Sequence, residues 1–88
     1  MRLDVYLKSA RLFVRRTEAQ RQIDSGSVLL NGTRTKPAHA VAPGDLLLIR
    51  YPRHELELEV LNTPPGKVTK AAAPCLYRLI RRMEREES

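Results

Sequence analysis

A helical pattern and a strand pattern meet in residues 17–36, which read TEAQRQIDSGSVLLNGTRTK. In the first half, Thr17 is a candidate N-cap, and Gln20 three residues later completes a capping box. Gly26 is suited to end a helix, because glycine readily adopts the left-handed conformation that closes one. The pattern therefore predicts a helix over residues 17–25.

The second half of this stretch predicts a β-hairpin. Residues 27–30 have the composition of a strand, Asn31-Gly32 is a dipeptide that two-residue hairpin turns favour, and residues 33–36 return along the first strand. Pro37 has no amide proton to donate to a neighbouring strand, so we expect the pairing to stop there.

Two more strands are predicted downstream, and their patterns differ. Residues 46–51 follow a Pro-Gly-Asp turn and form an almost continuous apolar run, as expected for a strand covered on both faces. Residues 55–61 alternate between glutamates, which should face water, and apolar side chains, which should face a core. Together with the hairpin, these strands predict a small antiparallel sheet.

The two ends of the chain are expected to be helical. Residues 2–10 have apolar side chains at helical spacing, and residues 62–73 have the prolines, glycine and lysines of a linker. Pro74 suits the first turn of a last helix over residues 74–88. Its apolar stripe comprises Leu76, Leu79, Ile80 and Met83. The predicted fold class is α+β, with two short N-terminal helices packed on the sheet in a domain over residues 1–61, then the linker and the C-terminal helix.

The chain is basic, and its charge is unevenly distributed. Sixteen Lys and Arg residues against ten Asp and Glu residues give a net charge of +6. Residues 1–21 carry a net charge of +4, residues 22–63 of −1 and residues 64–88 of +3. A basic domain of this size attracts polyanions such as nucleic acid or an anionic membrane surface.

Several other kinds of site are not supported by the sequence. Cys75 is the only cysteine, so no disulfide forms within the chain, and a reducing, cytoplasmic location is expected. His39 and His54 lack further ligands at metal-binding spacing, Cys75 has no evident base, and no glycine-rich phosphate loop is present. The longest strongly apolar run, residues 46–49, is too short to cross a membrane. We therefore expect no catalytic residue, metal or cofactor, and no membrane partner.

The candidate binding site is concentrated in the first 21 residues. If the apolar side chains of the two helices pack on the sheet, the basic ones face water together, and such a cluster of cations binds phosphates. The start of the second helix adds amide donors beside Arg15 and Arg16. Asp4 fits the first turn of the first helix, and it can also orient a neighbouring arginine through a salt bridge. The candidate binding residues are Arg2, Asp4, Lys8, Arg11, Arg15, Arg16, Thr17, Gln20, Arg21 and Lys36.

A series of short matches at fixed spacing runs from residue 1 to about residue 60. It comprises Arg2-Leu3-Asp4, Leu7, Arg15-Arg16-Thr17, Ala19, Ile23, Gly26, Val28, Asn31-Gly32, Lys36-Pro37, Val41 and Pro43-Gly44-Asp45. In these residues the chain resembles the RNA-binding domain named after the fourth protein of the small ribosomal subunit. Within that family it is most similar to two stand-alone groups, the quality-control factor RqcP and the fifteen-kilodalton heat-shock proteins. The match fades over residues 62–88.

The resemblance implies a protein without catalytic activity that binds structured RNA. Its implied partners are the ribosomal RNA of a large subunit that still carries peptidyl-tRNA, and that tRNA, in the rescue or quality control of stalled nascent chains. Arg2, Asp4 and Arg16 match positions that are functional in the RqcP group. We expect a monomer. A quality-control protein partner and the choice between tailing of the stalled chain and heat-shock recycling of the subunit stay open.

Three other interpretations stay open at this point. The same kind of domain is appended to RNA-modifying enzymes and tyrosyl-tRNA synthetases, although 88 residues are expected to leave no room for a catalytic domain. The apolar stripe near the C-terminus can dock a partner helix. Binding of DNA would also satisfy the charge, whereas the few aromatic side chains favour structured RNA recognised by its shape and backbone.

Overall fold

The computed structural model describes residues 1–85, which contain two α-helices and a five-stranded antiparallel sheet. The helices are α1 (Leu3–Ser9) and α2 (Arg16–Asp24). The strands are β1 (Val28–Leu30), β2 (Thr33–Arg34), β3 (Leu46–Arg50), β4 (His54–Val60) and β5 (Tyr77–Glu84), and a short 3-10 helix, Ala73–Leu76, precedes β5. The strands lie in the order β2-β1-β3-β4-β5, so β2 and β5 form the edges of the sheet.

The predicted arrangement of two N-terminal helices on an antiparallel sheet is confirmed, and both helices cover the same face. Side chains from the two helices meet alternate side chains of the strands in one core. Its largest fully buried members are Tyr6, Leu3, Leu7, Ile23, Leu47, Ile49, Leu58, Val28 and Val60. Neither helix within residues 1–85 is long and apolar enough to cross a membrane.

The prediction that β3 is covered on both faces is wrong. Leu47 and Ile49 are buried, whereas Leu46 is 44% exposed on the opposite face. The helices cover only one face of the sheet, so the apolar run of β3 leaves part of its surface in contact with water.

The Asn31-Gly32 turn forms as the sequence predicts. Both residues have positive φ, 52° and 80°, which the favoured two-residue hairpin turn requires at both positions. The side chain of Asn31 also accepts a hydrogen bond from the amide of Leu46 at 2.9 Å and donates one to Asp45 at 3.3 Å. The turn is thereby fastened to the start of β3.

The C-terminal end of α2 is closed by a glycine, as the sequence predicts. Gly26 has φ 84°, and its amide donates to the carbonyl of Ile23 at 3.1 Å. The amide of Ser27 closes the pattern by donating to the carbonyl of Gln22 at 2.9 Å. The guanidinium of Arg34 packs beside Gly26, where a β-carbon would lie 3.1 Å from its Nε. Arg34 therefore supports the end of this helix.

The capping box predicted at Thr17 is wrong. The helix begins at Arg16, with Arg15 in the N-cap position, and no side chain caps its start. Gln20 instead donates its amide to the carboxylate of Asp4 at 2.8 Å. This hydrogen bond to a charged acceptor directs the Gln20 side chain toward α1.

The predicted C-terminal helix is also wrong. Residues 77–84 form β5, which pairs with β4 over its whole length, and residues 73–76 form only a single 3-10 turn. Residues 86–88 of the predicted helix lie outside the described residues. The linker and the last segment therefore bring a fifth strand back to the sheet.

A bulge in β5 interrupts its pairing with β4. Glu57 pairs with Arg81 and Leu58 with Leu79, so Ile80 has no partner on β4. The extra residue places Arg78 and Arg81 on the same face of the sheet although they are three positions apart. The apolar stripe that predicted a helix does not lie on one face of the strand, because Leu79 pairs with Leu58 whereas Met83 pairs with Glu55 on the other face.

Candidate nucleic-acid interface

A buried carboxylate organises the candidate site. Asp4 has no exposure to solvent, and both of its oxygens accept hydrogen bonds. Arg2 donates through Nε to Oδ1 and through Nη2 to Oδ2, both at 3.1 Å. Arg16 donates through Nε at 3.1 Å and Gln20 through Nε2 at 2.8 Å, both to Oδ2, while the amide of Val5 donates to Oδ1 at 2.8 Å. One acid thus joins the residue before α1 to the first turns of both helices.

The surrounding donors keep Asp4 ionised. Burial alone would raise the pKa of this carboxyl, because a charge is less stable away from water. The hydrogen bonds from Gln20, Arg16, Arg2 and the amide of Val5 outweigh burial and lower the pKa of Asp4 below its ordinary value. Asp4 is therefore a permanent negative charge at neutral pH that attracts two arginines.

The two arginines held by Asp4 still face the solvent. The side chains of Arg2 and Arg16 are 46% and 45% exposed. Arg16 contacts Asp4 through Nε, so the outer nitrogens of its guanidinium point away from that bond. A guanidinium that is already oriented loses less conformational freedom when it binds a phosphate. The salt bridges proposed for Asp4 from the sequence are therefore present, and they orient two arginines.

The C-terminal end of α1 uses an arginine where α2 uses a glycine. The amide of Arg11 donates to the carbonyl of Lys8, and the amide of Leu12 to that of Leu7, both at 3.0 Å. Arg11 has φ 63°, in the left-handed region that disfavours side chains with a β-carbon. Side chains held in such conformations occur preferentially at functional sites.

Cations line an open groove of about 570 Å³ beside α1. On its helical side are Lys8, Arg11 and Arg16, and on the opposite side is Lys67. Val5 and Val68 contribute apolar surface, and none of the described residues that line the groove is acidic. The arrangement suits a polyanion with an apolar component.

Comparison with known proteins decides the family. A family model for the S4 domain matches residues 1–47, more than half of the chain. The chain belongs to the S4 domain family. The matched segment contains both helices and the Asp4 cluster, and it ends within β3, before the segment that carries Lys67.

Relatives within the S4 domain family are similar over most of this chain. The RQC P-site tRNA stabilizing factor of Bacillus subtilis is 35% identical over 81 residues, which are 92% of this chain and 93% of that protein. A heat shock protein 15 homolog of Aeromonas salmonicida is 36% identical over 77 residues, which are 88% of this chain and 58% of that protein. The trimeric structure of Vibrio cholerae heat shock protein 15 is similar with a TM-score of 0.84 and 29% identity, covering 90% of this chain and 80% of that one. The resemblance to the RqcP and heat-shock groups is confirmed.

Four other candidate binding residues lie in α2 or directly before it. Arg15 and Thr17 are exposed at the uncapped start of the helix, next to Arg16. Gln20 acts on Asp4. Arg21 forms an ion pair with Glu18 at 3.3 Å and does not line the groove. A role for these residues in binding RNA stays a prediction, and Arg15 and Thr17 have the more accessible positions.

Lys36 lies in the loop after β2, next to a residue that contacts the start of α1. The next residue, Pro37, accepts a hydrogen bond from the amide of Asp4 at 3.2 Å, which places this loop against the start of α1. Lys36 is exposed but does not line the groove. Its predicted contact with phosphate is untested.

Lys67 is the basic residue of the groove that the sequence analysis missed. The segment containing it was assigned to a linker, and its lysines were given no role. The net positive charge of residues 64–88 and the Pro64-Pro65-Gly66 turn were the available signals. They do not show which surface the segment packs against, because that depends on the pairing of β5 far along the chain.

Aromatic side chains are closer together than their spacing in sequence suggested. The rings of Phe13 and Tyr51 lie 5.4 Å apart, and those of Tyr51 and His54 stack at 4.6 Å. Phe13 is buried in the core. Burial raises the pKa of Tyr51 to about 12, with a smaller contribution from Tyr77, so its hydroxyl remains a donor to the carbonyl of Leu12. This stack supports the connector between the helices.

Within residues 1–85, no group of three or more His, Cys, Asp or Glu side chains is placed to hold a metal ion. Cys75 is an exposed free thiol.

Proposed function

We propose that this S4-domain protein binds the ribosomal RNA of the large subunit and the tRNA in its P site, and acts in the quality control of stalled nascent chains. The observation that carries the proposal is the buried carboxylate of Asp4, which holds Arg2 and Arg16 outward together. The name of the Bacillus subtilis relative, a P-site tRNA stabilizing factor, supports the choice of ligand.

The electrostatics of the site suit a folded RNA. Phosphates dominate the affinity of proteins for nucleic acids, and each neutralised phosphate releases counterions. A double-helical RNA presents phosphates and ribose hydroxyls at its surface, so oriented arginines recognise it by shape. The rigid pair Arg2 and Arg16 supplies fixed contacts, and Lys8 and Arg11 extend them along α1.

The protein acts in this proposal by binding and not by catalysis, in the cytoplasm, where ribosomes work. The relatives' names describe stabilisation of a tRNA and a heat shock protein rather than a reaction. Stabilising a tRNA does not by itself remove or extend a stalled chain. The proposal therefore includes a quality-control protein partner that acts on the same large subunit.

A second candidate function is recycling of blocked large subunits in the manner of a heat-shock factor, which the likeness to the Vibrio cholerae structure favours. That protein is trimeric in its structure. For this chain we propose a monomer, because one copy contributes the whole Asp4 cluster and the whole groove. Light scattering after size exclusion is expected to give a mass near 10.1 kDa, and three times that mass would contradict the proposal.

The test is binding to purified large subunits with and without a P-site tRNA. The Arg16→Ala variant is expected to lose about tenfold or more in affinity, since a hydrogen-bonded charge is removed from the site. Arg81→Ala is the matched control, because Arg81 is exposed but paired with Glu57 at 3.3 Å on the far side of the sheet.

Salt and tRNA dependence complete the test. Wild-type affinity should fall by orders of magnitude between low and moderate salt, by roughly a thousandfold if about six phosphates are contacted. Subunits with a P-site tRNA should bind more tightly than empty ones. A binding curve that is flat with salt, or equal losses in Arg16→Ala and Arg81→Ala, would contradict the proposal.

A further inference from the structure

The chain between β4 and β5 forms a closed loop beside α1. The amides of Leu61 and Asn62 donate to the carbonyl of Leu76 at 2.8 and 3.2 Å, so the two ends of residues 63–72, the 63–72 loop, are held together. The hydroxyl of Tyr6 donates to the same carbonyl at 2.6 Å. Burial raises the pKa of Tyr6, which keeps this hydroxyl protonated. The base of the loop is therefore fixed to the first helix.

The 63–72 loop also packs against the core in its middle. Val68 lies against the buried apolar cluster, and Gly66 turns the backbone with φ 79°. Lys67 stands between these two residues and lines the groove opposite Lys8 and Arg11. A loop that is attached at its base and in its middle holds Lys67 at a defined distance from α1.

The groove continues past Val5 and Gly66 into a second open hollow of about 430 Å³. The second hollow reaches Arg2 and the prolines at the start of the loop. Among the described residues that line either hollow, none is acidic. A track with a net positive charge therefore follows α1, because Arg2 and Arg16 share only the one carboxylate of Asp4, and the 63–72 loop is its second wall.

The lining of this track combines two kinds of chemistry. Basic side chains come from the helices and from the 63–72 loop, and Val5 and Val68 add apolar surface. A paired RNA stem presents mainly phosphates and ribose to a protein, and its bases stay stacked inside. An unpaired nucleotide presents a phosphate together with an exposed base and ribose, and apolar or flat surfaces receive these groups.

We propose that the 63–72 loop is the second wall of the RNA site and that the groove holds an unpaired nucleotide. Lys67 binds a phosphate from the side opposite Arg11 and Arg16, and the base or ribose lies against Val5 and Val68. This inference rests on the proposed binding of RNA. It adds a contact from outside the segment that matches the S4 domain.

The experiment measures the affinity of the full chain for two RNA stems of equal length, one fully paired and one with an unpaired bulge. Lys67→Ala is expected to weaken binding to the bulged stem by about threefold and to lower the salt slope by about 0.7, the value for one phosphate contact on a single strand. Lys67→Arg should retain binding. Lys70→Ala is the matched control, because Lys70 is exposed in the same loop and does not line the groove.

The outcomes separate this inference from the proposed function. If Arg16→Ala weakens binding to large subunits while Lys67→Ala behaves like Lys70→Ala on the bulged stem, the loop is not part of the site and the proposed function stands. If the wild type binds the two stems with equal affinity, the proposal that the groove holds an unpaired nucleotide is wrong. If the wild-type protein does not bind large subunits, the proposed function fails first. Thermal unfolding should be the same for Lys67→Ala and the wild type, since Lys67 is exposed.

Discussion

The two arginine-rich ends of the chain are similar in sequence, but their arginines are compensated differently. Near the N-terminus, Arg2 and Arg16 share one buried acid, and the groove beside them has no acidic lining residue among those described. In β5, Arg78 and Arg81 each have their own glutamate on β4, at 2.8 and 3.3 Å. Net charge along the sequence therefore does not locate the binding surface, whereas local pairing does.

The register of β4 and β5 produces this compensation. The alternating glutamates of β4 lie on the face of the sheet away from the helices, opposite the outward arginines of β5. Such exposed ion pairs contribute little to stability, typically below about 1 kcal/mol each, but they cancel the positive field at that face. Arginines on an edge strand also discourage pairing with another chain. The β5 arginines thus protect an edge, and those near α1 remain available to a ligand.

The largest predicted difference between the two ends is in the stability lost when the acidic partner of an arginine is removed. Asp4→Ala is expected to destabilise the protein by about 3 kcal/mol, because it leaves two arginines facing each other and a buried amide without its acceptor. RNA affinity should fall as well, since Arg2 and Arg16 lose their orientation. Glu57→Ala, which removes the exposed partner of Arg81, should cost less than about 1 kcal/mol. Urea unfolding of both variants makes the comparison, and equal losses would show that burial of the acid does not matter.

The pH dependence of stability should report on the buried carboxylate of Asp4. The pKa of Asp4 is lowered in the folded protein, so its contribution is fully present above the unfolded value, near 3.8, and is lost as the pH falls through the lower folded value. We expect the wild type to lose stability below about pH 4 more steeply than Asp4→Asn does. Urea midpoints measured between pH 6 and 2, in about one-unit steps, provide the test. Parallel curves for the two proteins would contradict it.

Local sequence signals predicted the first half of the fold well. The helix over α2, its end at Gly26 and the Asn31-Gly32 turn depend on neighbouring residues, and all three form as expected. Features set by distant partners were missed. Gln20, predicted to cap α2, instead binds Asp4, sixteen positions earlier in the chain.

The same distinction applies to β5 and to the candidate site. The apolar stripe of β5 predicted a helix, but this segment pairs instead with β4, some twenty positions earlier in the chain. The cations near α1 were recognised from composition, but the sharing of one buried acid by Arg2 and Arg16 depends on packing. Lys67 reaches the groove only because the 63–72 loop is closed by hydrogen bonds to Leu76.

The smallest predicted effect on stability comes from replacing an arginine by glycine, in one variant near the N-terminus and in another in β5. Arg11→Gly should not destabilise the protein and is expected to gain up to about 1 kcal/mol, because glycine adopts the positive φ of residue 11 without strain. Its RNA affinity should nevertheless fall, since the groove loses a cation. Arg78→Gly should do the reverse, costing about 1 kcal/mol in the interior of β5 and leaving RNA binding unchanged. Thermal unfolding and RNA titration of both variants measure the two effects. If Arg11→Gly retained full affinity, the positive φ of Arg11 would have no functional reason, and the groove would bind through its other cations, Lys8, Arg16 and Lys67.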